Sequence, residues 1–311
     1  MNDGKDLAHV FDRYIFECQF AGRLSPETIR AYKATFALFK VILPEVSEVE
    51  QLTPEMLVEF FRRLQSRSRA VGMHEIRTGV KTSTVKSYWS NLSTFFKWLE
   101  QKSVLSRNPL SGLRQPMTTY ADKRELDETV VHRIYSTIAL QSKNSLLLRR
   151  DTLIVSLLLF CGLRRGELVA LEAHDIDIEK MLIMVKRDTS KSRKVRYIPI
   201  HPTLLLHLKD YIAERNKWHY HTHYLLVSST VDRGLTPHGL KHWVDNMKKK
   251  TGVDFHLHQF RHAFACNLAR KDVNAFKIQK LLGHSSLDMT MTYLRSIGTE
   301  ELMADISKLS I

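Results

Sequence analysis

Apolar residues recur every three to four positions along the first hundred residues, which is the period of an amphipathic helix. Four such stretches begin near residues 6, 25, 53 and 82. Two of them open with Ser25-Pro26 and Thr53-Pro54, where the hydroxyl caps the first N–H groups and the proline suits the first helical position. We therefore predict four helices joined by short connections, which together form a small helical bundle.

The helical period stops after about residue 116 and returns at Asp127, a typical helix cap. Between them, the segment LRQPMTTYADKRE over residues 113–125 has no periodicity and indicates a linker. Beyond it, an apolar helix is predicted over 146–159, and two apolar segments over 181–186 and 195–200 predict a β-hairpin with a basic tip. Further helices are predicted over 204–214 and 239–250, with a short strand over 225–227.

These patterns predict a mainly α fold with a small β-sheet, an α+β architecture in two parts. We place a helical domain at residues 1–116, a linker at 117–126 and a second domain at 127–311. The second domain ends in a tail, about 297–311, whose apolar residues Leu302, Ile306 and Leu309 fall on one helical face. Such a tail packs either on its own domain or on a neighbouring copy.

Composition suggests the class of partner. The formal net charge is +14 and the sequence pI is about 9.7, and a chain this basic fits a polyanion, usually nucleic acid. Residues 51–120 contain eleven Lys/Arg against four Asp/Glu, whereas residues 1–50 contain six against eight. A charge run alone is equally compatible with a solvated face, but here we interpret it as a surface that lies on a DNA backbone. The cluster consists of Arg62, Arg63, Arg67, Arg69, Arg77, Lys81 and Lys86.

Three features bear on the compartment. The chain has three cysteines, Cys18, Cys161 and Cys266, without a C-x-x-C pair, which favours a reducing environment and buried thiols. The N-terminus lacks the basic and apolar regions of a signal peptide. The longest apolar run, residues 153–163, is too short to span a bilayer. We therefore predict a cytoplasmic protein without membrane contact.

Candidate chemistry is concentrated between residues 256 and 293. His258 and Arg261 lie three residues apart at the start of an apolar helix, so their side chains face the same side. An imidazole and a guanidinium directed at one anion suit a phosphodiester, because arginine offers a planar fork of donors and keeps its charge. His284 follows a glycine at a turn. Nine residues later, Tyr293 offers a nucleophilic oxygen.

Three segments of the second half resemble the tyrosine recombinase family, the lambda integrase-like and Xer-like enzymes. They are the segment GLRRGEL over 162–168, the segment HQFRH over 258–262, and LLGHSS over 281–286 followed by Tyr293. The N-terminal match is looser and consists of the helix count, the basic face and an S-x-x-T-x-x-x-Y pattern from Ser25. After Tyr293 the chain has Leu-Arg where the family often has Thr-His, which leaves the subfamily open.

The resemblance implies a role for each matching residue. Tyr293 would attack a DNA phosphate to give a 3′-phosphotyrosine, and Lys191 would protonate the departing 5′-oxygen. Lys191 has the family's spacing from Pro199, eight residues, but Lys186, Arg193 and Lys194 are rivals. The implied catalytic set is Arg164, Lys191, His258, Arg261, His284 and Tyr293, with Glu167 in a supporting position and Arg165 on the surface. The implied DNA contacts are Arg62, Arg63, Arg67, Arg77, Lys81, Lys86, Arg193, Lys194 and Lys241.

The resemblance also implies partners. They are a double-stranded DNA recombination site and further copies of the chain, four in a synapse, with exchange of the tail between copies. One phosphoester is exchanged for another, so neither a cofactor nor a metal is expected. The sequence leaves open whether an accessory protein takes part, and whether the role is chromosome dimer resolution, integration or transposition.

Two alternatives to a recombinase remain at this point. One is a type IB topoisomerase-like enzyme, which uses a similar site without partner strands. The other is a DNA-binding regulator without catalysis. The complete residue set argues against the regulator, and the helical domain and tail favour a recombinase over a topoisomerase. His219, His221 and His223 alternate like metal ligands, but no cysteine or carboxylate nearby in the sequence completes a tetrahedral set.

Overall fold

The computed structural model describes residues 5–71, 75–117, 126–186 and 195–294. The chain divides into two units, residues 1–121 and 122–311. Helices dominate both units, and each unit has its own hydrophobic core and its own small antiparallel sheet.

The first unit contains the four predicted helices. They are α1 (Leu7–Phe20), α2 (Pro26–Ile42), α3 (Pro54–Ser66) and α4 (Thr82–Gln101). The predicted caps of α2 and α3 are confirmed, since Ser25 and Thr53 accept hydrogen bonds from the backbone N–H groups of Thr28 and Met56. The core is aromatic: the rings of Phe11 and Phe36 stack 3.7 Å apart. A buried aromatic cluster of this kind ties three of the helices together.

The segment between α3 and α4 corrects our sequence prediction. We predicted a loop there, but the structure forms a hairpin of β1 (Ser68–Val71) and β2 (Glu75–Thr78). Gly79 follows β2 at the base of the hairpin. Its φ of +67° is left-handed, and a Cβ at this position would lie 2.4 Å from the Gln65 carbonyl oxygen. Its strands carry no apolar face, so the alternation that usually signals a strand is absent.

The second unit is built around one apolar helix, α6, with Leu153, Ile154 and Leu157 fully buried. Helices α5, α8 and α10 pack against it. The helices are α5 (Glu128–Gln141), α6 (Ser145–Cys161), α7 (Arg165–Ala170), α8 (Pro202–Lys217), α9 (Pro237–Thr251), α10 (Leu257–Arg270), α11 (Ala275–Leu282) and α12 (Leu287–Leu294). The antiparallel sheet has the order β3-β4-β5, with β3 (Ile176–Asp177), β4 (Leu182–Val185) and β5 (Arg196–Pro199).

Two further predictions need correction. The strand predicted over 225–227 does not form, and this region shows only isolated bridges. The reason is Tyr211, whose hydroxyl donates to the Leu225 carbonyl and accepts from the Val227 N–H, so that the buried backbone is satisfied without a ladder. Among the thiols, Cys161 and Cys266 are buried as predicted, but Cys18 is only half-buried. Within the described ranges, no helix is long and apolar enough to cross a membrane.

Candidate active site

Arg164 lies at the start of α7, as predicted, and a sharp turn after α6 places it there. Gly162 has a φ of +57°, and a Cβ at this position would lie 2.5 Å from the ring of Phe264, so the turn requires glycine. The carboxylate of Glu167 accepts from both the backbone N–H and the Nη1 of Arg164, each at 2.9 Å. The guanidinium is therefore fixed by the first turn of its own helix.

Glu167 also binds a second arginine, Arg196 of β5. The two side chains form a double hydrogen bond of 2.9 and 2.7 Å, and both are buried. Burial alone would raise the pKa of Glu167, but the hydrogen bonds and charge of Arg196, together with those of Arg164, outweigh it and lower the pKa to about 2. The carboxylate is therefore ionised at every physiological pH and holds both guanidinium groups.

Arg196 extends this network to the end of α11. Its Nε donates to the Leu281 carbonyl at 2.8 Å. A Cβ on Gly283 would lie 3.1 Å from the Arg196 guanidinium, so the backbone of the following turn packs directly on this arginine. Arg196 thus connects the start of α7 with the turn that presents His284.

Arg261 makes a second connection between the same two segments. Its side chain is 1% exposed, and its two amino groups donate to the carbonyls of Gly162 at 2.7 Å and Leu282 at 2.6 Å. Arg261 holds the turn before Arg164 and the turn before His284 together.

His284 is buried in the turn after α11, where Gly283 has a φ of +63°. Its Nδ1 lies 2.8 Å from the hydroxyl of Thr290, which is fully buried. Burial, together with the charges of Arg261, Arg164, Arg196 and His258, lowers the pKa of His284 to about 3. The imidazole is therefore neutral in the DNA-free protein at neutral pH.

The charges at this place favour an anion. The guanidinium groups of Arg164, Arg196 and Arg261 and the carboxylate of Glu167 sum to +2, from three positive charges and one negative. The depressed pKa of His284 reflects the same positive field. Because the groups are partly buried, their field is screened less than that of surface charges. The site is built to receive negative charge.

His258 lies in the first turn of α10 and is exposed, whereas His262 is buried and its Nδ1 lies 3.3 Å from the Cys266 sulfur. The two histidines thus have different surroundings. The charge of His258 contributes to the lowered pKa of His284. His258 therefore lies near the predicted site. Among the described residues, no group of three or more His, Cys, Asp or Glu side chains could hold a metal ion.

Several predicted site residues are not placed by the structure. The backbone of Tyr293 belongs to α12, which packs against α10 and α11, but its side chain lies outside the described part of the chain. Lys191, Arg193, Lys194, the tail and most of the predicted linker also lie outside it. Their roles remain predictions.

Lys186, a rival for the general acid, directly follows β4 and is placed by the structure. Its Nζ lies 2.8 Å from Glu172 and 3.5 Å from Asp175. The hydrogen bond to Glu172 raises the pKa of Lys186, whereas a general acid needs a pKa lowered towards the working pH. This argues for one of the other candidates.

The predicted DNA contacts that the structure places are distributed over both units. Glu59 accepts from Arg62 and Arg63 at 2.6 Å, and Glu75 accepts from Arg77. Lys81 precedes α4 and is exposed, as is Lys241 on α9, whereas Arg67 and Lys86 are half-buried. These paired arginines must break their hydrogen bonds to a carboxylate before they can bind a phosphate.

Arg196 was missed by the sequence analysis. A signal for it existed: in the predicted strand, strict alternation places Arg196 on the same face as Ile198, and that face is buried. A charged residue at an inward-facing position of a strand needs a buried partner. The acidic residue of the GLRRGEL segment was the partner to look for.

Two family profiles match the chain. The Phage integrase family profile matches residues 124–299, and the profile of the phage integrase N-terminal SAM-like domain matches residues 11–103. A tyrosine recombinase of Pseudothermotoga lettingae is 30% identical over 292 residues, covering 92% of this chain and 93% of that protein. Tyrosine recombinase XerC of Alcanivorax borkumensis is 28% identical, covering 94% and 91%.

Solved structures share the fold. The Tn1549 transposon integrase in complex with a circular intermediate DNA superposes with a TM-score of 0.76 at 17% identity, covering 97% of this chain and 99% of that one. A lambda integrase dimer bound to a COC′ core site gives a TM-score of 0.70 at 20% identity, covering 96% and 80%. The profile covering the site and the relatives matched along nearly their whole length show that this chain belongs to the phage integrase family of tyrosine recombinases.

Proposed function

We propose that this chain cuts and rejoins duplex DNA at specific sites through a 3′-phosphotyrosine intermediate formed on Tyr293. The observation that carries the proposal is the convergence of Arg164, Arg261 and His284. They come from three separate segments, which are connected through Glu167 and Arg196 and through the bonds of Arg261 to two backbone carbonyls. Such a positively charged cluster fits the scissile phosphate and the negative charge that develops on it.

In the proposed reaction the Tyr293 oxygen attacks phosphorus and the bond to the 5′-oxygen breaks. Arg164, Arg261 and His284 stabilise the charge on the non-bridging oxygens, each donor contributing about 3 kcal/mol. A free tyrosine has a pKa of about 10, so His258 assists by taking the phenolic proton. Lys191 gives a proton to the departing 5′-oxygen. The 5′-hydroxyl of another strand then attacks the phosphotyrosine, which restores Tyr293 and a phosphodiester.

Thr290 positions His284 in this scheme. When its hydroxyl donates to Nδ1, the neutral imidazole carries its proton on Nε2, and Nε2–H can donate to a phosphate oxygen. We expect Thr290→Val, which keeps the shape but loses the hydroxyl, to lower the rate of DNA cleavage by about 10- to 100-fold. Thr290→Ser keeps the donor and serves as the matched control.

The measurement is single-turnover cleavage of a nicked duplex, combined with ¹⁵N NMR of the His284 ring. If the valine variant cleaves at the wild-type rate and its ring keeps the same tautomer, Thr290 has no positioning role. If the substitutions acted only by disturbing the fold, the melting temperatures of both variants would change and the tautomer of His284 would not.

The proposed substrate is a double-stranded recombination site, and the proposed active assembly is four copies of the chain. A structure of a lambda integrase tetramer bound to a Holliday junction gives a precedent for the assembly. The second unit also has a cavity of about 1100 Å³ lined by apolar residues such as Leu159, Phe160, Phe264 and Leu281. We propose that the amphipathic tail of a neighbouring copy fills it.

The function is tested with two DNA duplexes carrying the site identified by footprinting. We expect exchange of strands between the duplexes and a covalent intermediate whose modified peptide contains Tyr293, both detected without ATP. Relaxation of supercoils without any exchange would instead indicate a topoisomerase. Binding without a covalent intermediate would indicate a regulator.

A further inference from the structure

In β1 of the hairpin, Ser68 and Ala70 are exposed and Arg69 is half-buried. All four residues of β2 are exposed, and Ile76 reaches 78%. A two-stranded hairpin without a packed face is marginally stable in water. The structure therefore leaves a projecting ribbon whose faces are available to a partner.

The base of the hairpin, in contrast, is fixed to the helical unit. The N–H of Gly79 donates to the Arg67 carbonyl at 2.9 Å, and Nε of Arg69 donates to the Gly79 carbonyl at 2.8 Å. Gly79 itself is packed against the carbonyl of Gln65 at the end of α3. The base of the ribbon is thus held rigidly at the end of α3. An element that recognises a surface requires such a rigid support.

One face of the ribbon places two like charges opposite each other. Arg69 and Arg77 are cross-strand partners in the register, an arrangement that is destabilising by itself. Glu75, on the same face, accepts from Arg77 at 2.6 and 2.9 Å, and its pKa is lowered by Arg77 and by the charge of Arg69. The face carries the guanidinium groups of Arg69 and Arg77 and, beside Arg77, the carboxylate of Glu75, with a net charge of +1.

This combination fits base edges better than phosphates. The carboxylate of Glu75 beside Arg77 repels a phosphate, but it accepts a hydrogen bond from cytosine, while arginine binds guanine with two hydrogen bonds. The major groove is about 12 Å wide, admits a two-stranded ribbon and distinguishes all four base pairs, whereas the minor groove, about 6 Å wide, presents a degenerate pattern of donors and acceptors. We propose that the β1–β2 hairpin enters the major groove and contributes to sequence recognition through Arg69, Arg77 and Glu75.

This inference rests on the DNA-binding role proposed above and is tested separately from catalysis. Wild-type protein selects from a pool of duplexes with about 20 randomised base pairs, and the bound fraction is sequenced. In Arg69→Ala and Arg77→Ala we expect the preference to fall by about 5- to 150-fold over one contiguous block, the discrimination of one bidentate contact. The preference at other positions should not change.

Ile76→Thr is the matched control, because it changes the opposite face and keeps a β-branched residue. It should select the wild-type sequence. If the arginine variants bind every duplex more weakly, with the same preference and a salt slope smaller by about 0.9 per arginine, they contact phosphates only and the inference is wrong. Absence of a covalent intermediate on the selected duplex would contradict the proposed function while leaving the selection result intact.

Discussion

Tyr293→Phe is expected to eliminate the covalent protein–DNA intermediate while leaving DNA affinity within about twofold of wild type. Phenylalanine has no oxygen, so no bond to phosphorus can form. The ring keeps its size, and α12 keeps its packing against α10 and α11. Because all later steps depend on the phosphotyrosine, strand exchange should be lost together with cleavage.

The measurement is denaturing gel electrophoresis of protein trapped on a nicked duplex, with affinity measured in parallel. Tyr197→Phe is the matched control, since Tyr197 lies in the same unit and is 58% exposed on β5; it should give the wild-type amount of intermediate. A covalent intermediate that persists in Tyr293→Phe would show that another residue is the nucleophile. Mass spectrometry of the trapped peptide would then identify it.

The parts of this structure that were predicted from sequence depend on local interactions. The caps at Ser25, Thr53 and Asp127 bond to N–H groups two or three residues ahead, so the pattern alone determines them. Arg164 and its supporting residue Glu167 were identified from one short segment, GLRRGEL, in which they lie three positions apart. The family motifs assigned the site residues to one site before any contact between them was known.

The parts that were missed depend on partners far along the chain. The segment 225–227 has the composition of a strand, but the hydroxyl of Tyr211 satisfies its backbone instead. The hairpin at 68–78 forms without an apolar face, through contacts at Gly79. Arg196 pairs with Glu167, 29 residues earlier, and with Leu281, 85 residues later. Periodicity carries no information about such distant pairs.

Arg196→Ala is expected to lower the rate of DNA cleavage by about 100- to 1000-fold, comparable to removing an oxyanion donor. The substitution removes both hydrogen bonds to Glu167 and the bond to the Leu281 carbonyl. It leaves Glu167 buried with Arg164 as its remaining hydrogen-bonding arginine, and breaking a buried pair in this way costs about 3–5 kcal/mol of folding stability. The turn carrying His284 loses the connection to α7 that runs through Arg196, while the bonds of Arg261 and Arg164 to this turn remain.

Two variants separate this effect from simple unfolding. Arg196→Lys keeps the charge but not the fork, so it should recover most of the stability and only part of the cleavage rate. Arg149→Ala removes an exposed pair with Asp210 in the same unit, and a surface pair of this kind is worth about 1 kcal/mol or less. Its cleavage rate and melting temperature should stay near those of wild type.

The pH dependence gives a readout specific to positioning through Glu167. In the wild type the pKa of Glu167 is lowered to about 2, so its contribution to stability is complete above about pH 4.5 and is lost as pH falls through 2. Without Arg196 the pKa of Glu167 in the folded protein rises. The acid loss of stability should then be smaller and complete at a higher pH, because it runs from the unfolded pKa down to the folded pKa, whereas the acid loss of cleavage should begin at a higher pH. Melting temperatures between about pH 2 and 8 and single-turnover rates between about pH 4 and 8 test this. If the acid side of the pH profile and the cleavage rate of Arg196→Ala were both unchanged, Arg164 and His284 would be positioned without this network.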